Sequence, residues 1–220
     1  MAKYKQGIDG PVLGKIGQHV GSKWKGIYYL RSLAAAIANP RTVDQRKIRS
    51  RFAALSKLGS TLMGAIKMGF YKVAKNMSEF DLFISKNFAY VTANNTGETV
   101  IDYGSLSIAD GPVVGVNFGA VDYGETQHLN ISAAFTGNLD IEGADSNDDV
   151  YLVAYCPELD MAVTSAPVKR SQAAVTVAVP SLWDGQEVYV YGFVRAGSSN
   201  TRYDYLQCSR SVYCGSDEVQ

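Results

Sequence analysis

The sequence predicts an α+β protein in which a glycine-rich extended N-terminal arm and amphipathic helices precede an antiparallel β-sandwich. Three observations predict this. Glycines recur through the first 26 residues, apolar residues then repeat every three or four positions, and short alternating runs fill the chain after residue 94. An apolar repeat of three to four residues is typical of helices, and strict alternation is typical of strands. We therefore expect a basic N-terminal unit at 1–93 and an acidic β-sandwich domain at 94–220.

The glycine-rich arm includes a strand-like aromatic segment at residues 22–32. Trp24, Tyr28 and Leu30 share one parity in this segment, and the opposite parity is mostly basic. Aromatic enrichment with glycine punctuation favours a strand or a hairpin over a helix. An isolated two-stranded hairpin is only marginally stable in water. We therefore expect this segment to be ordered by packing against other parts of the chain or against another subunit.

A long amphipathic helix is predicted to begin near Pro40 and Thr42. Thr42 and Gln45 have the spacing of a capping box. Behind them one apolar stripe steps by three or four: Ile48, Phe52, Leu55, Leu58, Leu62, Ile66, Phe70 and Val73. Three glycines interrupt the helix, for which we expect close packing or a kink: Gly59, Gly64 and Gly69. A second, shorter helix is predicted over 78–89.

The chain after residue 94 contains short alternating runs that are separated by turn residues. The predicted strands are at 99–103, 112–118, 128–135, 150–156, 174–179, 187–194 and 205–213. At least seven short strands with turn signals every 8 to 12 residues or so are typical of an antiparallel sandwich of immunoglobulin-like size. The Cys…Trp…Cys pattern of true immunoglobulin domains is absent, so this likeness concerns architecture alone.

The charge is divided between the two halves although the net charge is zero. Up to residue 86 the chain has 16 Lys and Arg against 4 Asp and Glu, and the remainder has 5 against 17. These halves carry +12 and −12. Such asymmetry indicates interaction surfaces. Basic helices and acidic loops that are simply two solvated faces would give the same distribution, and this alternative stays open.

The sequence contains no recognisable catalytic motif. The two histidines, His19 and His128, lie in different halves, and no nucleophile, phosphate-loop or dinucleotide motif accompanies them. Asp145, Asn147 and Asp149 have the alternate spacing of calcium ligands, but the loop has neither a glycine at the sharp turn nor a closing glutamate. A solvated hairpin tip is the better interpretation. We expect no enzyme activity, no catalytic or cofactor-binding residue, no cofactor and no metal.

The N-terminus and the cysteines bear on localisation. The first ten residues have no apolar core typical of a signal peptide, and the chain has no apolar run long enough for a membrane span. The three cysteines, Cys156, Cys208 and Cys214, are an odd number in strand-like surroundings, which favours packed thiols in a reducing compartment. We expect synthesis in the cytoplasm.

Trp24 lies among basic and aromatic residues that form the candidate interaction site. Such a mixture can stack nucleobases and neutralise phosphates, or it can dock onto a protein, where Trp, Tyr and Arg dominate binding energy. We favour protein docking. The candidate interaction residues are Trp24, Lys25, Tyr28 and Arg31 in the aromatic segment, and Arg41, Arg46, Lys47, Arg49 and Arg51 at and after the helix start.

Three segments of the chain carry recognisable motifs. Residues 14–32 (GKIGQHVGSKWKGIYYLRS) match G-K-x-G-x-x-V-G-S-x-W-K-G-I-x-Y-x-R-S, and residues 39–52 (NPRTVDQRKIRSRF) match N-P-R-T-x-x-Q-x-x-x-R-x-x-F. The third segment is 209–215 (SRSVYCG). In the first two motifs and in this ending the chain resembles a family of uncharacterised proteins from Bacteroidota and their phages, and the resemblance covers nearly the whole chain. It implies a shared fold and lineage and no established activity.

These observations predict a non-enzymatic structural or assembly protein, namely a phage or prophage virion component. It would form homo-oligomers, or assemble with other virion proteins, through its basic N-terminal region. A nucleic-acid-binding protein that uses the basic helix and the aromatic arm is the first alternative. The second is a carbohydrate- or surface-binding module with Tyr189, Tyr191 and Tyr203 as platforms, although tyrosines that alternate on strands are more often half-buried.

Overall fold

The computed structural model describes residues 2–3, 10–35, 39, 41–124 and 130–219, and it divides the chain into two compact units. Unit 1 is Met1–Arg41 and unit 2 is Thr42–Gln220. Unit 1 contains one antiparallel sheet in the order β1-β4-β3-β2. Its strands are β1 (Ala2–Lys3), β2 (Gly14–Ile16), β3 (His19–Trp24) and β4 (Ile27–Ser32). Pro40, where the helix was predicted to begin, and His128 lie outside the described residues.

Unit 2 begins with three helices, α1 (Val43–Thr61), α2 (Met63–Gly69) and α3 (Glu79–Asn87). The predicted N-cap is confirmed, because the Thr42 hydroxyl accepts a hydrogen bond from the backbone N–H of Gln45 at 3.3 Å. The reciprocal half of the capping box is missing, since Gln45 Oε1 has no hydrogen-bond partner. A complete capping box starts α3, where Ser78 and Asp81 bond each other's backbone N–H groups. No helix in the described part of the chain is long and apolar enough to cross a bilayer.

The apolar stripe of the helices is buried from Leu55 onward. Four further stripe residues with little or no exposed surface follow it: Leu58, Leu62, Ile66 and Phe70. The first two positions of the stripe differ, because Ile48 is 55% exposed and Phe52 is 52% exposed. The predicted stripe is therefore correct for the second half of α1 and for α2, while the first half of α1 presents apolar side chains to solvent.

Gly69 and Gly64 should respond oppositely to substitution by alanine. A Cβ at Gly69 would lie 2.4 Å from the Ile108 carbonyl oxygen, whereas a Cβ at Gly64 would have no neighbour within 4 Å. We expect Gly69→Ala to lower the free energy of unfolding by roughly 1–3 kcal/mol through overpacking. Gly64→Ala should raise it by about 1 kcal/mol through helix propensity. Urea unfolding of both variants measures this, and equal effects would contradict the close approach at Gly69.

The rest of unit 2 is β-structure, and all strand pairs in its sheets are antiparallel. The strands are β5 (Val91–Ala93), β6 (Thr99–Ile101), β7 (Asn117–Asp122), β8 (Asn130–Thr136), β9 (Asp149–Cys156), β10 (Met161–Thr164), β11 (Val168–Lys169), β12 (Ala174–Ala178), β13 (Glu187–Arg195) and β14 (Val212–Glu218). A five-stranded sheet has the order β10-β9-β13-β14, with β11 also paired to β9, and a three-stranded sheet has the order β12-β8-β7. β5 and β6 form a hairpin. The predicted α+β class with antiparallel sheets is thus confirmed.

The central strands β9 and β13 separate two hydrophobic cores. Leu152 and Val190 point into a core shared with the three-stranded sheet, and Val153 and Tyr191 point into a core shared with the helices. Both faces of these strands are therefore buried, which explains their nearly continuous apolar sequence. The helices and the five-stranded sheet belong to one compact unit. The division differs from the boundary predicted at 93/94: the structure divides the chain at 41/42 because the helices need the sheet to cover their apolar stripe.

Two predicted strands are displaced. The run at 112–118 contributes to a strand only from Asn117, because the preceding segment packs against the chain at Cys208: the Val113 N–H donates to the Cys208 carbonyl at 3.2 Å. The run at 205–213 becomes a strand only at Val212, since Leu206 has a φ of 72° and belongs to a turn. In both cases apolar residues are buried by irregular backbone rather than by a sheet.

Candidate interaction surface

The aromatic segment of unit 1 is a tight hairpin. Trp24 is paired with Ile27, and Lys25 and Gly26 form the two-residue turn with φ values of 46° and 82°. Two consecutive positive φ angles are the requirement of a type I′ turn, which matches the twist of the flanking strands. Glycine adopts such a φ without a steric penalty, so the Lys-Gly sequence favours this turn locally.

The turn sets which side chains share a face, because residues directly opposite on antiparallel strands point the same way. Trp24 therefore shares a face with Ile27, and Tyr28 shares the other face with Lys23. We call the first the tryptophan face: Lys15, Val20, Ser22, Trp24, Ile27, Tyr29 and Arg31. Trp24 and Tyr28 share one parity along the chain, but the two-residue turn reverses the parity, so their side chains are on opposite faces.

The tryptophan face is open to solvent at the turn end of the hairpin. Trp24 is 52% exposed and Ile27 is 45% exposed. On the opposite face the chain covers itself in part, because a Cβ at Gly21 would lie 2.2 Å from the Val12 carbonyl oxygen. Within the described part of unit 1, Gly21 is the sole fully buried residue, so the sheet has no side-chain core. A four-stranded sheet without a side-chain core lacks the burial that normally stabilises a sheet.

The charge around the hairpin has one sign. The sequence has no Asp or Glu from residue 10 to residue 43. Lys25 Nζ lies 5.1 Å from the centre of the Trp24 ring, and Lys23 Nζ lies 4.9 Å from that of Tyr28. Cation–π contacts of this kind hold the ammonium groups beside the rings at exposed sites. The surface thus combines apolar rings with positive charge.

The predicted basic residues are divided between the two units. Arg41 belongs to unit 1, whereas Arg46, Lys47 and Arg49 lie on α1 of unit 2. Arg51 has a structural role, since its guanidinium lies 4.0 Å from the centre of the Phe88 ring and donates a hydrogen bond to the Phe88 carbonyl. Arg51 is therefore removed from the candidate interaction residues.

Ion pairs within unit 2 neutralise part of the charge division that the sequence shows. Lysines from the basic half pair with acids from the acidic half at three places: Lys57 Nζ and Asp160 at 3.1 Å, Lys72 Nζ and Asp204 at 3.6 Å, and Lys86 Nζ and Asp110 at 2.7 Å. The helices and sheets of unit 2 are therefore not oppositely charged ends of the molecule. In unit 1 the sequence has seven Lys and Arg against one Asp.

The acidic loop after β8 contains a buried carboxylate that the sequence pattern did not single out. Asp148 has no exposed side-chain surface. Its carboxylate accepts hydrogen bonds from the backbone N–H groups of Asp145 (3.1 Å) and Gly197 (3.0 Å) and from the side-chain amide of Asn200 (3.0 Å). These bonds join the loop that precedes β9 to the loop that follows β13.

Arg170 is the buried partner of Asp148. Its Nε lies 3.4 Å from Asp148 Oδ2, and its terminal nitrogens donate to the carbonyls of Gly137 (3.3 Å) and Val114. Burial lowers the pKa of Arg170 from its ordinary value, and the charge of Asp148 opposes that shift. The pair holds four segments of chain together and is enclosed on all sides, so its role is structural.

Two of the oxygen-bearing side chains in the Asp145, Asn147 and Asp149 spacing have partners within the chain. The Asp145 carboxylate accepts the backbone N–H of Asn147 at 2.8 Å, and Asp149 pairs with Lys169 at 2.6 Å. Among the described residues, no group of three or more His, Cys, Asp or Glu is placed to hold a metal ion.

The three tyrosines of the carbohydrate-binding alternative have different environments. Tyr191 is fully buried and its hydroxyl donates to the Tyr103 carbonyl at 2.8 Å, so it cannot serve as a platform. Tyr189 and Tyr203 are half-buried and lie in separate places, on β13 and in the loop after it. Burial, followed by a hydrogen bond with Glu187, raises the pKa of Tyr189 to about 12.

The cysteines are unpaired, packed thiols. Cys156 and Cys208 are buried, and burial raises the pKa of the Cys208 thiol to about 12. Cys214 is half-buried, and burial raises its pKa to about 12 as well. A thiol with such a pKa stays protonated at neutral pH and is a poor nucleophile. The interpretation of the cysteines as packing residues is confirmed.

The comparisons with known proteins assign the family. A model of a family of unknown function (DUF6266) matches residues 8–213. The chain belongs to this family. The match includes the hairpin of unit 1 together with the helices and most of the β-structure of unit 2. No curated protein and no solved structure matches the chain.

Membership of DUF6266 confirms that the chain belongs to an uncharacterised family. Because this family has no assigned function, membership gives the protein no activity. The function has to be inferred from the surfaces of the two units, and the tryptophan face is the surface with the clearest interaction chemistry.

Proposed function

We propose that the protein is a non-enzymatic assembly protein that forms homo-oligomers through its N-terminal region. The observation that carries this proposal is the tryptophan face, where Trp24 and Ile27 are about half exposed on a sheet that has no side-chain core. Covering these side chains on another subunit would supply the apolar burial that unit 1 lacks. Tryptophan, tyrosine and arginine, all present on this face, are the residues that contribute most to protein interfaces.

The setting we propose is a phage or prophage virion, with synthesis in the host cytoplasm and other virion proteins as further partners. Its support is the resemblance of residues 14–32 and 39–52 to proteins of Bacteroidota and their phages. In this proposal unit 1 makes the assembly contact and the β-structure of unit 2 is the displayed module.

We further infer that the two larger sheets of unit 2 form a sandwich of immunoglobulin-like size. The support is the shared core between them, to which Ile131 and Val177 contribute from one sheet and Leu152 and Val190 from the other. Alternating burial along β12 is typical of a strand with one face on a core and one in water.

Oligomerisation should be measurable and sensitive to salt. We expect light scattering at 0.1 M salt to give a mass that is a multiple of 23.8 kDa. At 1 M salt the association constant should fall by roughly tenfold, because the Debye length shrinks from about 10 Å to about 3 Å and screens the lysine and arginine charges. A monomer under both conditions at high protein concentration would refute the proposal.

Nucleic-acid binding remains a second candidate because the hairpin carries basic residues and aromatic side chains and has no Asp or Glu. The structure weakens it in two ways: Trp24 and Tyr28 are on opposite faces, and Arg51 is bound to Phe88. An electrophoretic shift assay at low salt with single- and double-stranded DNA tests it. Binding would show a steep decrease in affinity with salt, and the absence of any shift would eliminate this candidate.

A further inference from the structure

The five-stranded sheet carries a patch that complements the tryptophan face, at the end where β13 begins and β14 ends. Three tyrosine rings are neighbours there: the ring centres of Tyr103 and Tyr189 are 4.5 Å apart, and those of Tyr189 and Tyr213 are 6.4 Å apart. All three residues are half-buried and pack against the core shared with the helices. Glu187 and Glu218 border them. We call these five residues the acid–tyrosine patch.

The two glutamates of this patch are directly opposite each other. Glu187 on β13 and Glu218 on β14 are partners in register, and both are exposed. Within the part of the chain that the structure describes, neither carboxylate forms an ion pair. Like charges opposite each other on neighbouring strands are destabilising. A cationic partner would turn this repulsion into attraction.

The tryptophan face offers the matching chemistry. Lys15 on β2 and Arg31 on β4 are the register partners of Val20 on its two sides, so two positive charges flank Val20 on this face. The Ser22–Tyr29 pair lies between this row and the exposed Trp24 and Ile27. Neither Lys15 nor Arg31 forms an ion pair among the described residues. One surface thus combines two basic residues with exposed apolar side chains, and the other has two acidic residues beside tyrosine rings.

We propose that the tryptophan face of one copy docks on the acid–tyrosine patch of a second copy. This inference rests on the proposed function and names the partner surface for it. A second copy is the occupant because both complementary surfaces are in the same sequence, whose net charge is zero. The contact joins two different surfaces, so it is heterologous, and repetition of it produces a ring or a filament.

Charge exchange between two variants tests the pairing. One variant carries Lys15→Glu and Arg31→Glu, and the other carries Glu187→Lys and Glu218→Lys. Each variant alone has two surfaces of the same sign, so we expect its association constant in light scattering to fall by about tenfold or more. In an equimolar mixture, the reversed face of one variant meets the reversed patch of the other. The mixture should therefore assemble to within about threefold of the unmodified protein.

Controls separate this inference from the proposed function. Two control variants each reverse one charge away from both surfaces: Lys23→Glu on the opposite face of the hairpin, and Asp140→Lys at an exposed acid elsewhere. Both should leave assembly nearly unchanged. Circular dichroism establishes that each variant is folded. Where a reversal unfolds the chain, Glu187→Gln with Glu218→Gln replaces it and should also weaken assembly.

Three results would overturn the inference. If the unmodified protein is monomeric, both the inference and the proposed function fail. If it assembles and the Lys15 and Arg31 variant alone is defective, the proposed function survives and the partner surface is wrong, as it would be for a nucleic acid or another acidic protein. If both variants are defective and their mixture does not recover, the two surfaces do not meet.

Discussion

Replacing Arg170 by alanine is expected to destabilise unit 2 more than any surface substitution. The side chain has no exposed surface, and its removal leaves the carboxylate of Asp148 buried without a counter-charge. Breaking one partner of a buried ion pair in this way costs about 3–5 kcal/mol. The carbonyls of Gly137 and Val114 would lose their donor as well. Urea unfolding followed by circular dichroism measures the loss.

The neighbouring residue provides a matched control. Lys169 also pairs with an aspartate, Asp149, at 2.6 Å, but its side chain is 51% exposed. Exposed ion pairs contribute about 0–1 kcal/mol, so Lys169→Ala should have a small effect. Replacing Arg170 by methionine and Asp148 by asparagine together should cost less than the sum of the two single changes, because neither change then isolates a charge. Equal effects of Arg170→Ala and Lys169→Ala would contradict a structural role for the buried pair.

The helices and most strands were predictable because local patterns are sufficient for them. The apolar repeat from Leu55 to Phe70 predicts a helix with one buried face, and these residues are buried. Ser78 and Asp81 begin α3 through hydrogen bonds within a single helical turn. The positions of the displaced strands could not be predicted from the local pattern, because they depend on contacts with distant parts of the chain. An apolar run such as 112–118 is equally satisfied by burial in irregular backbone, and only the approach of Cys208, about 95 residues away along the chain, decides between the two.

The candidate site was predictable in composition and not in geometry. The rings and bases around Trp24 are visible in the sequence, but their distribution over two faces depends on where the chain turns. Trp24 and Tyr28 share one parity along the chain, whereas the turn at Lys25 and Gly26 pairs Trp24 with Ile27 and puts Tyr28 on the other face. The acid–tyrosine patch was missed for a related reason, since Glu187 and Glu218 are 31 positions apart and meet only through strand register.

Trp24→Ala is expected to abolish assembly at micromolar concentrations while both units stay folded. Trp24 is 52% exposed and belongs to no hydrophobic core, so its removal costs unit 1 little buried surface. At an interface it would be a central anchor, and truncation of a hot-spot residue costs about 2–4 kcal/mol. That loss corresponds to a rise of roughly 30- to 1,000-fold in the dissociation constant. Light scattering across a concentration series measures it.

Tyr28→Ala is the control that makes this result specific to one face. Tyr28 is an aromatic residue of the same hairpin, four positions along the chain from Trp24, but it is on the opposite face beside Lys23. If assembly uses the tryptophan face, Tyr28→Ala should raise the dissociation constant by no more than about fivefold, which is about 1 kcal/mol. Equal defects would mean that the hairpin contributes through its overall stability. Normal assembly by Trp24→Ala would mean that the tryptophan face is not part of the contact, and the exposed apolar side chains of Ile48 and Phe52 on α1 are then the surface to substitute.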